Sequence, residues 1–457
     1  MKEKLIGPNF VPAWEWKRGH LERGGREALR EVRTRLTRPD GTRFVDVFWI
    51  NEGEPDAAYR HFSRHVKFLL WQKGWAALET DAPPAYVERL RRDYGEGGQQ
   101  FDAQLIGKKV FGHALEFAHR ESIEEPLEAA RGITIGGGVK GCRVGFDLGG
   151  SDRKSAAVRE GEVLFSDEVE WSPYFESDPG YHWDGIVDSI ERAAARLPRL
   201  DAIGGSAAGI YIESEPRVGS LYRGVSETDF RERIKPLFHR LSEYFGGVPV
   251  EVVNDGDATA LSAAQSRGLT GVLGIAMGTS MAVGYVDSRG SLQPWLNELA
   301  FAPVDYSPEA PVDEWSGDRG CGAQYFSQQA VVRLLPYTRL KVDRSLPAAE
   351  QLKAVQAAAG EGEAEALGLF RTIGTFLGYS ILHYKDYYTF DNLLLLGRVL
   401  SGLGGDVLRE EARKTLAALD PACAESLQFL EPTERERRHG QAIAAAGLVP
   451  DTLIKDR

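Results

Sequence analysis

The apolar positions of this chain change rhythm along its length. From Gly141 onward, apolar runs of strand length alternate with stretches in which apolar residues recur every three or four positions, the pattern of helices with one buried face. Strands are expected at 143–147, 155–159 and 162–171, a helix at 183–196, a strand at 200–206, a helix at 229–245, a strand at 248–254 and a helix from 258. The order then recurs. Strands are expected at 271–277, 282–287 and 291–296, helices at 323–335, 348–359 and 364–384, a strand at 392–396, a helix at 405–419, a strand at 426–430 and a last helix at 434–447. The residues themselves do not repeat, so the duplication is one of structure. Two similar α/β halves with a cleft between them are the simplest arrangement that buries these faces.

Residues 1–140 follow another pattern. Pro39-Asp40-Gly41-Thr42 reads as a hairpin turn between an Arg-rich segment and the strand-like run from Val45 to Ile50. Residues 85–94 and 108–120 read as helices, and Ile135-Gly136-Gly137-Gly138 reads as a joint to the next unit. Three domains are therefore expected: 1–140, an α+β unit; 141–265, the first half; and 266–457, the second, with its last helix free to pack back on the first. Trp14, Trp16, Trp49, Trp71 and Trp75 are concentrated in the first unit, as core or interface residues.

Composition narrows the function class. The chain has 457 residues, 42% hydrophobic and 27% charged, ordinary for a globular protein. No apolar run reaches membrane-spanning length, and Met1-Lys2-Glu3-Lys4 begins no apolar signal core. Three scattered cysteines give neither a disulfide framework nor a cysteine metal knot. A cytoplasmic location is the expectation. Net charge is −12, and it is uneven: residues 1–140 hold 23 Lys and Arg against 21 Asp and Glu, and the remainder 32 against 46. An acidic body argues against nucleic-acid binding. The arginines of the first unit (Arg18, Arg23, Arg26, Arg30, Arg33, Arg35, Arg38) are offset by Glu15, Glu22, Glu27 and Glu31. That unit is expected to pack on the core, cap the cleft or support a homodimer. His61 and His65 share a helical face at best, without a third metal ligand in view.

Two glycine turns carry the candidate chemistry. Asp147-Leu148-Gly149-Gly150-Ser151 follows one apolar run, and Met277-Gly278-Thr279-Ser280 follows another. Glycine lets backbone N–H groups approach an anion, and Ser or Thr adds a hydroxyl donor. Two such turns across a cleft suit the phosphates of a nucleotide. Asp255, between them in sequence, can then activate a hydroxyl, which points to phosphoryl transfer. The competing reading makes each turn a plain hairpin and Asn254-Asp255-Gly256-Asp257 a turn with a helix cap; Asp257 is best read as that cap.

From about residue 141 to 450 the chain resembles the actin-like ATPase and sugar-kinase superfold, and within it the ROK family of bacterial sugar kinases and repressors. The resemblance implies an α/β fold of two duplicated actin-like, ribonuclease H-like domains about a central cleft. Asp147 to Ser151 looks like the first phosphate loop and Gly278-Thr279-Ser280 like the second. Val250 to Leu261 looks like the segment carrying the catalytic aspartate, here Asp255. Leu395 to Ser401 looks like the adenosine segment, so that Gly397, Arg398 and Ser401 would border adenine and ribose. The implied reaction is ATP-dependent phosphorylation of a sugar or related polyol with Asp255 as general base. Asp147 would organise Mg²⁺ through water, Gly149, Gly150, Ser151, Gly278, Thr279 and Ser280 would face the phosphates, and Asn254 and Glu298 would bind substrate hydroxyls. Lys154, just past the first loop, is a further candidate for phosphate charge.

The departures bear on substrate. Asn297-Glu298-Leu299-Ala300-Phe301 stands where the family has Gly-Glu-Leu-Gly-His, and Gly320-Cys321-Gly322-Ala323 where it has Gly-Cys-x-Glu. One cysteine without the partner histidine does not make the family's zinc site. Ala207-Ala208-Gly209 replaces a common Pro-Gly turn. A glucose-type pocket is thus in question. The alternative is a ROK-like sugar-sensing regulator or binding protein in which catalysis has lapsed.

Overall fold

The computed structural model describes residues 5–23, 25–124, 136–434 and 436–454, with the side chain of Arg26 also left out. Met1 to Lys4 and Ile135, on which two of the readings above fall, lie outside the described residues.

The first unit is a four-stranded sheet in the order β2-β1-β3-β4 with helices against it. Strand β1 (Leu29–Thr37) turns at Arg38 to Thr42 into antiparallel β2 (Arg43–Asn51), and Gly41 takes the positive φ of 85° that this turn needs. The helix Pro55–Lys73 follows, then β3 (Ala77–Thr80), the helix Pro84–Gly95 and β4 (Glu116–His119). The helix expected at 108–120 is not there. A π-helix, Ala103–Phe111, stops at Gly112, left-handed at φ 74°, and the chain leaves to pair β4 with β3. Edge pairing of the sheet overrides the local helical pattern.

Each half of the remainder is built on a mixed sheet. In the first lobe the order is β11-β8-β5-β6-β7. Strand β5 (Cys142–Leu148) pairs antiparallel with β6 (Asp152–Arg159) and parallel with β8 (Ala202–Ala207); β7 (Glu162–Glu170) lies outside β6, and β11 (Val250–Asn254) outside β8. The second lobe has the order β13-β12-β14-β15, with β12 (Val272–Met277) antiparallel to β13 (Met281–Val286) and parallel to β14 (Asn392–Leu396), and β15 (Gln428–Leu430) beyond it. The two lobes share one plan, strand, tight turn, returning strand, then a parallel neighbour. No counterpart of β7 occurs among the described residues. The strand expected at 291–296 is reduced to one bridge, Val286 to Leu292, because Asp287 folds the chain back by accepting the N–H groups of Arg289 and Ser291. Between β8 and β11 the first lobe adds a small hairpin, β9 (Ile210–Ile212) and β10 (Glu215–Val218), turned by Glu213 and Ser214 at positive φ. The helix expected at 229–245 is broken by Pro236 and is regular only over Leu237–Tyr244.

Three apolar clusters show how these units join. The first lobe has its own core around Phe146, Ile186, Ile203 and Phe238. The first unit does not: Phe62, Phe68 and Trp71 belong to one cluster with Tyr325, Phe376 and Tyr387 of the second lobe. A third cluster joins the helix Asp255–Arg267 to the helix Gln441–Ala446. That last helix lies on the first-lobe sheet, where two glycines admit its backbone. A Cβ on Gly145 would sit 1.8 Å from the Ala442 carbonyl oxygen, and one on Gly204 1.7 Å from that of Ala445. The buried Arg143 guanidinium ties the same end down through the Val449 carbonyl at 2.7 Å and Asp451 at 2.6 Å.

Gly204→Ala is therefore expected to lower stability by about 1–3 kcal/mol, the usual cost of overpacking. Gly98→Ala, where nothing lies within 4 Å of the added atom, serves as the control. Equal chemical denaturation midpoints for the two variants would show that the helix does not seat on this sheet.

Candidate functional site

Asp147 stands near the end of β5, opposite Lys154 on β6 and Ser206 on β8. The Ser206 hydroxyl donates to its Oδ1 at 2.7 Å. Burial pushes the Asp147 carboxyl up to about 6, with the negative charge of Asp255 adding to the effect. The turn that follows is closed by Gly149 N–H donating to the Asp152 carbonyl at 2.9 Å, so this predicted phosphate donor is already occupied. The N–H groups of Gly150 and Ser151 have no backbone partner among the described residues. A Cβ on Gly150 would lie 2.0 Å from the Tyr174 hydroxyl, so only glycine fits there. Trp171 braces the turn, donating its Nε1–H to the Gly149 carbonyl at 2.7 Å and its backbone N–H to that of Ser151 at 3.0 Å. Lys154 is tied to Asp152 at 2.9 Å and lies beside Asp147.

The second turn has the same construction. Gly278 N–H donates to the Ser280 carbonyl at 2.9 Å, and the exposed Thr279 and Ser280 present hydroxyls with no partner among the described residues. Gly397, at φ 105°, lies so close to the strand feeding this turn that a Cβ would meet the Met277 carbonyl oxygen at 2.4 Å. Arg398 and Ser401 are exposed beyond it, their carbonyls taking the Gln356 amide at 2.6 and 3.4 Å.

Asp255 opens the helix Asp255–Arg267. The cap is Asn254, whose Oδ1 accepts the Gly256 N–H at 2.7 Å while its Nδ2–H donates to the Gly209 carbonyl at 2.7 Å. Both ends of the Asn254 amide are thus used in holding the turn. Asp257 is not a cap, contrary to expectation. Its Oδ1 accepts the Tyr285 N–H at 3.1 Å and the Asn297 amide at 2.9 Å, linking the helix start to β13 and to the segment that bears Glu298. Asn297, at φ 53°, also receives the Tyr388 hydroxyl at 2.9 Å. Nothing in the local sequence marks it, since its partners are 40 and 91 positions away.

These elements gather four acids. Burial raises Asp255, and burial with the charges of Asp255 and Asp257 pushes Glu298 up to about 8; burial pushes Asp257 up to about 7. The charge of Asp255 thus reaches Asp147, Asp257 and Glu298, and that of Asp257 reaches Glu298 as well. A carboxylate kept partly protonated and set at a cleft is suited to proton transfer.

Glu298 is held from outside the two lobes. Its N–H donates to the Trp71 carbonyl, and that of Asn297 to the Gln72 carbonyl, both at 2.9 Å. Phe301 packs at a tilt on Trp71 with ring centres 4.5 Å apart and on Phe101 at 5.4 Å. Ala323 is buried, and its carbonyl accepts the Ser327 hydroxyl at 2.6 Å. Near it, Asp318 receives Arg64 at 2.6 Å and Lys67 at 2.9 Å, and Lys67 also meets Asp102 at 2.8 Å. Cys321 lies against this network, its Sγ 3.7 Å from Asp318, and burial pushes its thiol up to about 12. Among the described residues no group of three or more His, Cys, Asp or Glu is placed to hold a metal ion. His65 bonds Asp46 at 2.7 Å and Tyr387 at 2.9 Å, a packing role within the core.

No family model matches the chain, and no curated protein is significantly similar to it. Solved structures do share its fold. A ROK hexokinase from Thermus thermophilus, 19% identical, superposes on 67% of this chain and 97% of its own with a TM-score of 0.53. A ROK family transcriptional regulator, a homolog of the E. coli MLC protein and also 19% identical, matches 67% of this chain and 78% of its own at 0.51. The two lobes therefore have the actin-like fold of ROK proteins. No described helix is long and apolar enough to cross a membrane.

The raised carboxyls set a sign for stability. Glu298 binds its proton more tightly folded than unfolded, so folding loses stability as pH climbs from about 4.5 to about 8. Glu298→Gln is expected to melt above the wild type at about pH 8, with the gain fading toward pH 4.5. A difference in melting temperature that does not change with pH would refute the assignment.

Proposed function

We propose that the protein transfers the terminal phosphoryl group of ATP to a hydroxyl of a sugar or related polyol. The observation that supports this is that Asp255, which falls between the two glycine turns in sequence, is buried where its charge acts on Asp147 and Glu298, in a fold shared with a hexokinase. Asp255 accepts the proton of the attacking hydroxyl, its raised affinity for protons matching that task. The free N–H groups of Gly150 and Ser151 and the hydroxyls of Thr279 and Ser280 are the donors left for phosphate oxygens. Such donors act chiefly by positioning and by neutralising charge. Asp147 is the carboxylate suited to Mg²⁺, which would supply charge neutralisation between phosphates. Gly397, Arg398 and Ser401 would border the adenosine. Glu298 binds a substrate hydroxyl; Asn254 acts through the turn it caps. Closure of the lobes excludes water as a competing acceptor.

A second reading rests on Phe301 and Ala323. Phe301 packs against Trp71 and Ala323 is buried, where the family's kinases offer groups to the sugar, and the regulator noted above shares the fold. In that reading the cleft senses a sugar without turning it over.

Turnover separates them. Mg-ATP consumption measured against hexoses, amino sugars and cyclitols is expected to depend on one acceptor class. It should fall by about 10²–10⁴-fold in Asp255→Asn. The acid limb of the rate profile should lie above the normal carboxylate range, because Asp255 must be ionised to act. Acceptor binding without ATP binding would instead establish the sensing role.

A further inference from the structure

A phosphate chain entering this cleft meets Asp147, Asp255 and Glu298, so a cation of the protein's own, beside any that the ligand brings, would favour its binding. The basic groups nearest the first turn are mostly committed. Lys154 pairs with Asp152 at 2.9 Å, and Arg153 with Asp188 at 2.6 Å and the Gly185 carbonyl at 2.8 Å. Arg398 stands on the other lobe, past the second turn. Arg223 is different. It is exposed, and its guanidinium donates only to the Ser220 carbonyl, at 3.3 Å, with no carboxylate partner among the described residues.

Its position is fixed by its neighbours. Leu221 and Tyr222 are buried, and His182 hydrogen-bonds the Leu221 carbonyl at 3.0 Å, so the short turn before Arg223 is anchored. Gly224 lets the segment at Phe175 and Glu176 approach; a Cβ there would lie 2.6 Å from the Glu176 carbonyl oxygen. That segment follows Trp171, which braces the first glycine turn. The Arg223 guanidinium rests over the Tyr174 ring, 4.8 Å from its centre, and the hydroxyl of the same ring lies against Gly150. One aromatic side chain therefore separates an unpaired cation from the turn.

We propose that Arg223 is a phosphate-binding residue for the terminal phosphate of the nucleotide, with Tyr174 as the positioning residue on which it rests. The proposal depends on the phosphate role given above to the first glycine turn. A guanidinium binds phosphate oxygens through two parallel N–H donors, and stacking on an aromatic face limits the orientations it must give up. The Tyr174 hydroxyl lies beside Gly150 while its ring carries the Arg223 guanidinium, so one side chain links the cation to the edge of the turn.

The test compares magnesium complexes of a non-hydrolysable ATP analogue and of ADP, by calorimetry, on wild type, Arg223→Ala, Arg223→Lys, Tyr174→Phe and Tyr174→Ala. Arg223→Ala should weaken the triphosphate by about tenfold or more while changing ADP much less. Arg223→Lys should recover part of the loss, Tyr174→Phe should behave as wild type, and Tyr174→Ala should fall between. Because Arg223 is exposed, melting temperatures should not move. Equal affinity of wild type and Arg223→Ala for the triphosphate, or an equal loss for both nucleotides, overturns this assignment and leaves the kinase reading standing. Failure of the wild type to bind either nucleotide overturns both.

Discussion

The end of the helix Pro55–Lys73 is the joint on which the site depends. A helix leaves its last four carbonyls without partners of its own. Here Leu70 is satisfied by the Gly74 N–H, Trp71 by that of Glu298, Gln72 by that of Asn297, and Lys73 by the Arg38 guanidinium. Two of the four are met by the backbone that carries a cleft acid. Main-chain bonds of this kind tolerate little displacement, so the first unit sets the height of Glu298 above the cleft floor. The Trp71 and Phe301 rings and the Lys67, Arg64 and Asp318 ion pairs brace the contact on either side. Removing one member of such a buried network strands its partner, at a cost of about 3–5 kcal/mol.

The parts of the molecule that sequence made legible are those whose signal is local. Strands β5, β12 and β14 are near-continuous apolar runs because both faces of each are covered, and the glycine turns follow directly from them. The order of strands in both lobes, and hence the fold, could be read from that. The first unit could not. The helix Pro55–Lys73 buries His61, His65, Lys67 and Gln72 along with its apolar residues, which erases the usual contrast between faces. Asp46 and Tyr387 answer His65, Asp102 and Asp318 answer Lys67, and the Tyr387 carbonyl answers Gln72, all from elsewhere in the chain. The same limit explains the misread segment at 291–296 and the missed role of Asn297. Asp255, Asp147 and the two turns were visible as candidates, whereas the bonds of Asn254 to Gly209 and of Asp257 to Tyr285 and Asn297 were not, since those partners lie 45, 28 and 40 positions away.

Electrostatics gives the cleft its character. Two lobes carry most of the negative charge, and four acids meet where they face each other. Such a floor repels an unescorted polyphosphate and favours a ligand that arrives with its own cations. It also keeps several carboxyls near the balance between charged and neutral forms, where small changes in their surroundings alter proton affinity most.

The shared core has a consequence for how the chain is made. The first unit leaves the ribosome before the second lobe, yet Phe62, Phe68 and Trp71 share an apolar cluster with that lobe. Gln72 waits for Tyr387, 315 positions later. At ordinary rates of synthesis that separation lasts roughly 15–60 s. During it Phe68 lacks His383, Tyr384 and Tyr387, and Trp71 lacks Phe301, so a nascent chain with a half-closed core is open to chaperones and to aggregation. The same contact that fixes the cleft thus makes production of this protein sensitive to the pace of translation.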